Sequence, residues 1–98
     1  MQTGYSAKFM FLAMQQAKIA YANNEVPVGA VIVRDGEVIG SGCNGVISMN
    51  SVSAHAEIIA INDAASMTKN YRLTDSNIYV TLEPCHMCAK AIVDARIK

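Results

Sequence analysis

The chain has 98 residues, enough for one small domain, with eight basic and eight acidic side chains and a formal net charge of zero. At 52% hydrophobic and 16% charged residues, the composition excludes disorder, coiled coil and collagen. Its longest apolar runs, Phe9 to Met14 and Val28 to Val33, are six residues each, far short of the roughly 20 needed to span a bilayer.

The first run also lacks the form of a signal peptide, because Gln15 and Gln16 interrupt it before any small-residue cleavage pattern. A soluble cytoplasmic domain is expected. Three cysteines are too few for a disulfide framework, and two of them form Cys85-His86-Met87-Cys88, which in a reducing compartment points to metal or redox chemistry. Neutral charge by itself gives no electrostatic sign of a nucleic-acid partner.

From Tyr5 to about Asn23 there is no Gly or Pro, and Met10, Ala13, Met14, Ala17, Ala20 and Tyr21 recur at helical spacing, predicting an amphipathic helix with that stripe on the core. Phe9, Phe11, Leu12 and Ile19 exceed what one stripe needs, and Asn23, Asn24 and Pro27 end the helix. Two β-branched runs, Val28 to Val33 and Glu37 to Gly40, flank Asp35-Gly36, the residue pair of a type I′ hairpin turn. The first run is apolar throughout and reads as a central strand covered on both faces. Cys43 to Ser53 reads as a loop.

Ser53 is the expected N-cap of a second helix from Ala54 to about Met67, with Ala56, Ile59, Ala60 and Asp63 in register. Ile78 to Leu82 is a third strand, broken by Glu83-Pro84. Cys85 to about Ile97 is a third helix, with Cys88, Ile92 and Ala95 along one face. The order helix, hairpin, helix, strand, helix defines a single α/β unit over residues 1–98.

Two short motifs carry chemistry. His55-Ala56-Glu57 opens the second helix, and Pro84-Cys85-His86-Met87-Cys88 lies where the third strand hands over to the third helix. A catalytic zinc takes three protein ligands and leaves one position open. Cys85 and Cys88, one turn apart at a helix N-terminus, place two sulfurs on one metal, and the helix dipole there favours the thiolate. His55 supplies the third ligand, and Glu57 is placed to move a proton. Alone, Cys-x-x-Cys fits a metal ligand pair, a redox pair or simple burial, and His-x-Glu fits an ordinary helix start. Together they form the pattern His-x-Glu…Pro-Cys-x-x-Cys, the signature of zinc-dependent nucleobase deaminases. Gly40-Ser41-Gly42-Cys43-Asn44-Gly45 imitates a dinucleotide-binding loop, but no helix opens after it, so no nucleotide cofactor is expected. Cys43 reads as a buried bystander and His86 as pointing outward.

Four stretches extend the likeness: Glu25 to Ala30, Ala54 to Ile58, Asn70 to Leu73, and Val80 to Cys88. Through them the chain resembles the bacterial tRNA-specific adenosine deaminases of the cytidine deaminase superfamily. The resemblance implies a three-layer α/β/α fold with a mixed sheet, and one zinc on His55, Cys85 and Cys88 with Glu57 shuttling protons. It implies that Asn44, eleven residues before His55, hydrogen-bonds the target base. Pro27, Val28 and the backbone of Ala56 would help line the pocket. The implied reaction is hydrolysis of the wobble adenosine of a tRNA anticodon loop to inosine, by a homodimer with no membrane attachment. A deaminase of a free base or nucleotide, or an inactive zinc-binding fragment, are the alternatives. Two features depart from the family. Ser51-Val52-Ser53 stands where Asp-Pro-Thr is common, and the chain stops at Lys98, where the family continues into a further strand and C-terminal helices. The domain is therefore expected to be incomplete at its C-terminus, with the third strand left at an open edge.

Overall fold

A computed structural model of the chain describes residues 7–47, 49–51, 53–81 and 86–97. The elements run α1 (Ala7–Ala22), β1 (Gly29–Arg34), β2 (Glu37–Cys43), α2 (Ala56–Thr68), β3 (Ser76–Val80) and α3 (His86–Asp94), the order expected from the periodicities. The sheet order is β2-β1-β3, which puts the apolar run of β1 in the centre. Both described pairings are antiparallel. The parallel pairing of a mixed sheet is thus absent among the described residues, and β2 and β3 form the two edges.

Alternation along β1 divides the core in two. Val28, Ala30 and Ile32 point to one side and pack with Ala56, Ala60 and Ala64 of α2, Leu73, and Ala95 and Ile97 after α3. Val31 and Val33 point to the other side, where Ala13 of α1 and Tyr79 of β3 meet them. The result is a helix–sheet–helix sandwich. Arg34 pairs with Glu37 across Asp35 and Gly36, both at positive φ (53° and 78°), as a type I′ turn requires. The register slips by one residue after Ile32, leaving Ile39 as a bulge.

Gly40 and Gly42 are strand residues on which α2 rests. A Cβ at Gly42 would lie 2.6 Å from the Ala56 carbonyl oxygen, and one at Gly40 would lie 2.6 Å from that of Ala60. The glycine pattern that imitates a nucleotide loop therefore serves close helix–strand packing.

Each helix ends on a non-glycine residue in the left-handed region: Asn24 (φ 61°), Lys69 (φ 57°) and Arg96 (φ 65°). In α3, Arg96 N–H donates to Val93 O and Ile97 N–H to Ile92 O, a Schellman pair that stops the helix at Asp94, short of the expected Ile97. β3 starts two residues before the expected Ile78, because Asp75 turns the chain at φ 61° and frees Ser76 to pair with Arg34. In α1 the expected stripe is narrower. Ala13 and Ala20 are buried, whereas Met14 and Tyr21 are 52% and 72% exposed, because only the alanine line fits close to β1. No helix among the described residues is long and apolar enough to cross a membrane.

Candidate active site

The site forms where the N-termini of α2 and α3 meet above β1. His55, not Ser53, is the N-cap residue of α2, in extended conformation (φ −83°, ψ 152°), and its side chain makes no capping bond. The cap comes from elsewhere. Asn44 Oδ1, at the end of β2, accepts the Ala56 N–H at 2.8 Å. That leaves the His55 imidazole turned towards α3, where Nδ1 stands 3.6 Å from Cys88 Sγ. Cys88 is fully buried, and Glu57, in the first turn of α2, is 4% exposed.

Cys85 lies outside the described residues, as does the side chain of His86. Among the described residues no three His, Cys, Asp or Glu side chains cluster closely enough to hold a metal ion. The His55–Cys88 pair can nevertheless be tested for zinc. Bonds of about 2.05 Å to nitrogen and 2.3 Å to sulfur, at a tetrahedral angle, separate the two ligand atoms by about 3.6 Å. The observed separation is that of one tetrahedral edge. An imidazole nitrogen and a cysteine sulfur are also the donor types zinc prefers.

The expected pocket residues divide. The Val28 side chain packs in the core, and its carbonyl accepts the Asn44 N–H at 3.1 Å. Ala56 is buried at the helix start. Pro27 is exposed and, with Met14, Ala17, Lys18, Tyr21 and Thr81, lines a groove of about 400 Å³ on the α1 side. Thr81 extends the β1–β3 ladder beyond Val80. Its N–H donates to Gly29 O (3.1 Å), and its Oγ1 accepts the Gly29 N–H (3.2 Å).

Two residues near the site were not anticipated from the sequence. Thr81 is one. Glu25 is the other, 6% exposed, with Oε1 accepting the Ile47 N–H at 3.1 Å. Ile47 lies 22 residues away, in a loop without periodicity, so no local pattern announces the pair. Cys43 is half-buried beside them. Burial, and after it the negative charge of Glu25, push its thiol above its ordinary pKa.

A sheet between α1 and the α2–α3 pair, with a histidine and a cysteine converging from two helix N-termini, is the arrangement of the zinc deaminases. The chain belongs to the cytidine and deoxycytidylate deaminase zinc-binding region family, whose model matches residues 5–98. It is 47% identical over 98 residues to the tRNA-specific adenosine deaminase of Buchnera aphidicola subsp. Schizaphis graminum, covering all of this chain and 65% of that protein. A solved structure from studies of A-to-I editing by tRNA:A34 deaminases at the wobble position superposes with a TM-score of 0.90. Identity to it is 48%, over 93% of this chain and 70% of that one. Guanine deaminase from Bacillus subtilis superposes with a TM-score of 0.91 at 38% identity, over 97% of this chain and 61% of that one. The chain thus spans a little under two thirds of the length of the Buchnera protein.

Proposed function

We propose that this chain carries the catalytic centre of a cytoplasmic, homodimeric zinc deaminase that hydrolyses the wobble adenosine of a tRNA anticodon to inosine and ammonia. The observation that carries the chemistry is the 3.6 Å approach of His55 Nδ1 to Cys88 Sγ beside the buried Glu57. In this reading His55, Cys85 and Cys88 hold the zinc. When bound, the metal supplies a Lewis acid that lowers the pKa of water to roughly 7.

The rest falls to side chains. Glu57 takes one proton from the attacking water and gives it to the purine N1, then carries the remaining hydroxyl proton to the departing amine as the C6–N bond breaks, so that adenosine plus water balances inosine plus ammonia. Its burial keeps bulk water from competing for that proton. Asn44 has its Oδ1 engaged by Ala56, so the group it offers the base is the Nδ2 donor. Pro27, Val28 and the Ala56 backbone shape the pocket around the base. An anticodon-loop base leaves its stack at little cost, which suits a site whose cysteine and proton carrier are buried.

The substrate rests on the likeness to the Buchnera enzyme and to the tRNA:A34 deaminase structure. The equally close superposition on guanine deaminase favours a free-base reading as the second choice. Turnover of an anticodon stem-loop bearing adenosine at the wobble position, compared with free guanine, cytosine and adenosine, separates them. Inosine in the stem-loop with no ammonia from the free compounds supports the tRNA reading, and the reverse result overturns it. Zinc at one per chain with turnover of neither would leave a zinc-binding module without catalysis.

A further inference from the structure

Two carboxylates are buried among the described residues, Glu25 and Glu57. Glu57 belongs to the proposed chemistry; Glu25 has no part in it. A carboxylate inside a protein is costly unless donors compensate it, and a loop amide inside a protein needs an acceptor. The Glu25–Ile47 hydrogen bond serves both needs.

The location of that bond matters more than its strength. Glu25 ends the connection from α1 and opens the segment leading through Pro27 to Val28. Ile47 lies in the loop from β2 to α2, which starts at Asn44 and delivers His55. A second bond joins the same two segments, Asn44 N–H to Val28 O at 3.1 Å. Within the loop, Gly45 N–H donates to Ala54 O at 2.8 Å, closing its beginning onto its end. Asn44 then reaches the first turn of α2 through Ala56. Glu25 is the outermost anchor of this series. The backbone bonds of the turn itself, Met49 N–H to Gly45 O and Ser51 N–H to Val46 O, stay within the loop.

We propose that Glu25 is a positioning residue for the substrate pocket: its carboxylate grips the Ile47 amide, fixes the β2–α2 loop against the segment of Pro27 and Val28, and so sets the aim of Asn44. The kinetic part of this inference rests on the deaminase reading; the structural part does not.

The test compares the chain with Glu25→Ala and Glu25→Gln, the latter keeping an oxygen acceptor at the same reach. On the anticodon stem-loop, Glu25→Ala is expected to raise KM about tenfold, with kcat within about threefold and zinc content unchanged. Glu25→Gln should stay within about threefold of the parent in KM. A merely structural role would lower the active fraction, and hence apparent kcat, without moving KM. Amide hydrogen exchange followed by NMR needs no activity. Protection at Ile47 should fall about tenfold in Glu25→Ala and persist in Glu25→Gln, while Val31 and Ile32 of β1 stay as in the parent. Unchanged Ile47 protection in Glu25→Ala overturns the proposal, as does a loss that spreads to β1 or a Gln variant that behaves like Ala. If the parent chain fails to deaminate the stem-loop, the substrate reading falls and the exchange measurement still decides the anchor.

Discussion

Asn44 Oδ1 caps helix α2 by accepting the Ala56 N–H at 2.8 Å, so the cap comes from a side chain twelve residues upstream. A serine or aspartate at position 55 would cap the helix locally, but it would not offer an imidazole to Cys88. Borrowing the cap from β2 frees position 55 for histidine. Removing the cap in Asn44→Ala should cost about 1 kcal/mol, lowering Tm by about 4–8 °C in a domain this small. Asn44→Asp keeps the acceptor and should hold Tm within about 2 °C, yet it replaces the Nδ2 donor by a second acceptor and should raise KM. Thermal unfolding by circular dichroism measures the first effect and steady-state kinetics the second. Equal Tm losses in both variants would show that Asn44 does not act as the cap.

Glu57 and the three proposed ligands should separate in their metal dependence. Glu57→Gln is expected to retain zinc at the parent stoichiometry and lose roughly 10²–10⁴-fold in kcat, the usual contribution of a positioned proton carrier. His55→Ala, Cys85→Ala and Cys88→Ala should each lower bound zinc. Metal analysis of the four purified variants checks this, and zinc loss in Glu57→Gln would make Glu57 a ligand instead.

What the sequence revealed follows from how local each signal is. The Asp35-Gly36 turn, the continuous apolar run of β1, and the placing of His55 and Cys88 at two helix starts are carried by contiguous residues and are legible in the sequence. The stop of α2 at Thr68 lies within one residue of the expected Met67, whereas α3 stops three residues before the expected Ile97, because Arg96 adopts the left-handed conformation without being glycine or asparagine. Local capping rules place the N-cap at Ser53, because they look for an oxygen beside the helix, whereas the oxygen arrives from Asn44. Met14 and Tyr21 share the periodicity of Ala13 and Ala20, and only the closeness of α1 to β1 tells the two groups apart. The Glu25–Ile47 bond joins two loops and leaves no trace in either.

The seat of α2 on β2 should be intolerant of a single methyl group. At Gly42 a Cβ would lie 2.6 Å from Ala56 O and 2.7 Å from Ala60 N, both backbone atoms that cannot swing aside. Gly42→Ala should therefore destabilise by about 1–3 kcal/mol, the usual cost of overpacking, and move the start of α2 away from β2. At Gly36 a Cβ would meet nothing within 4 Å, but its φ of +78° still penalises a side chain. Gly36→Ala should cost less, about 1 kcal/mol. Urea unfolding ranks the two, and a Gly42→Ala chain as stable as the parent would refute the contact.

Cys43 links the loop anchor to pH. Its thiol holds its proton to higher pH than an ordinary cysteine, first through burial and second through the nearby Glu25 carboxylate. The unfolded chain releases that proton at the ordinary thiol value, the folded chain only above it. Below the ordinary value both states are protonated and Cys43 contributes nothing to the pH dependence. As pH rises from there through the raised value, the folded state binds more protons than the unfolded one, and stability falls. Cys43→Ala should remove that part of the alkaline loss. Iodoacetamide labelling at Cys43, read by peptide mass across pH, should give a midpoint above that of the urea-unfolded chain. Glu25→Gln should shift the native midpoint down by removing the second cause while leaving the first. A native midpoint at or below the unfolded one would exclude the burial of this thiol.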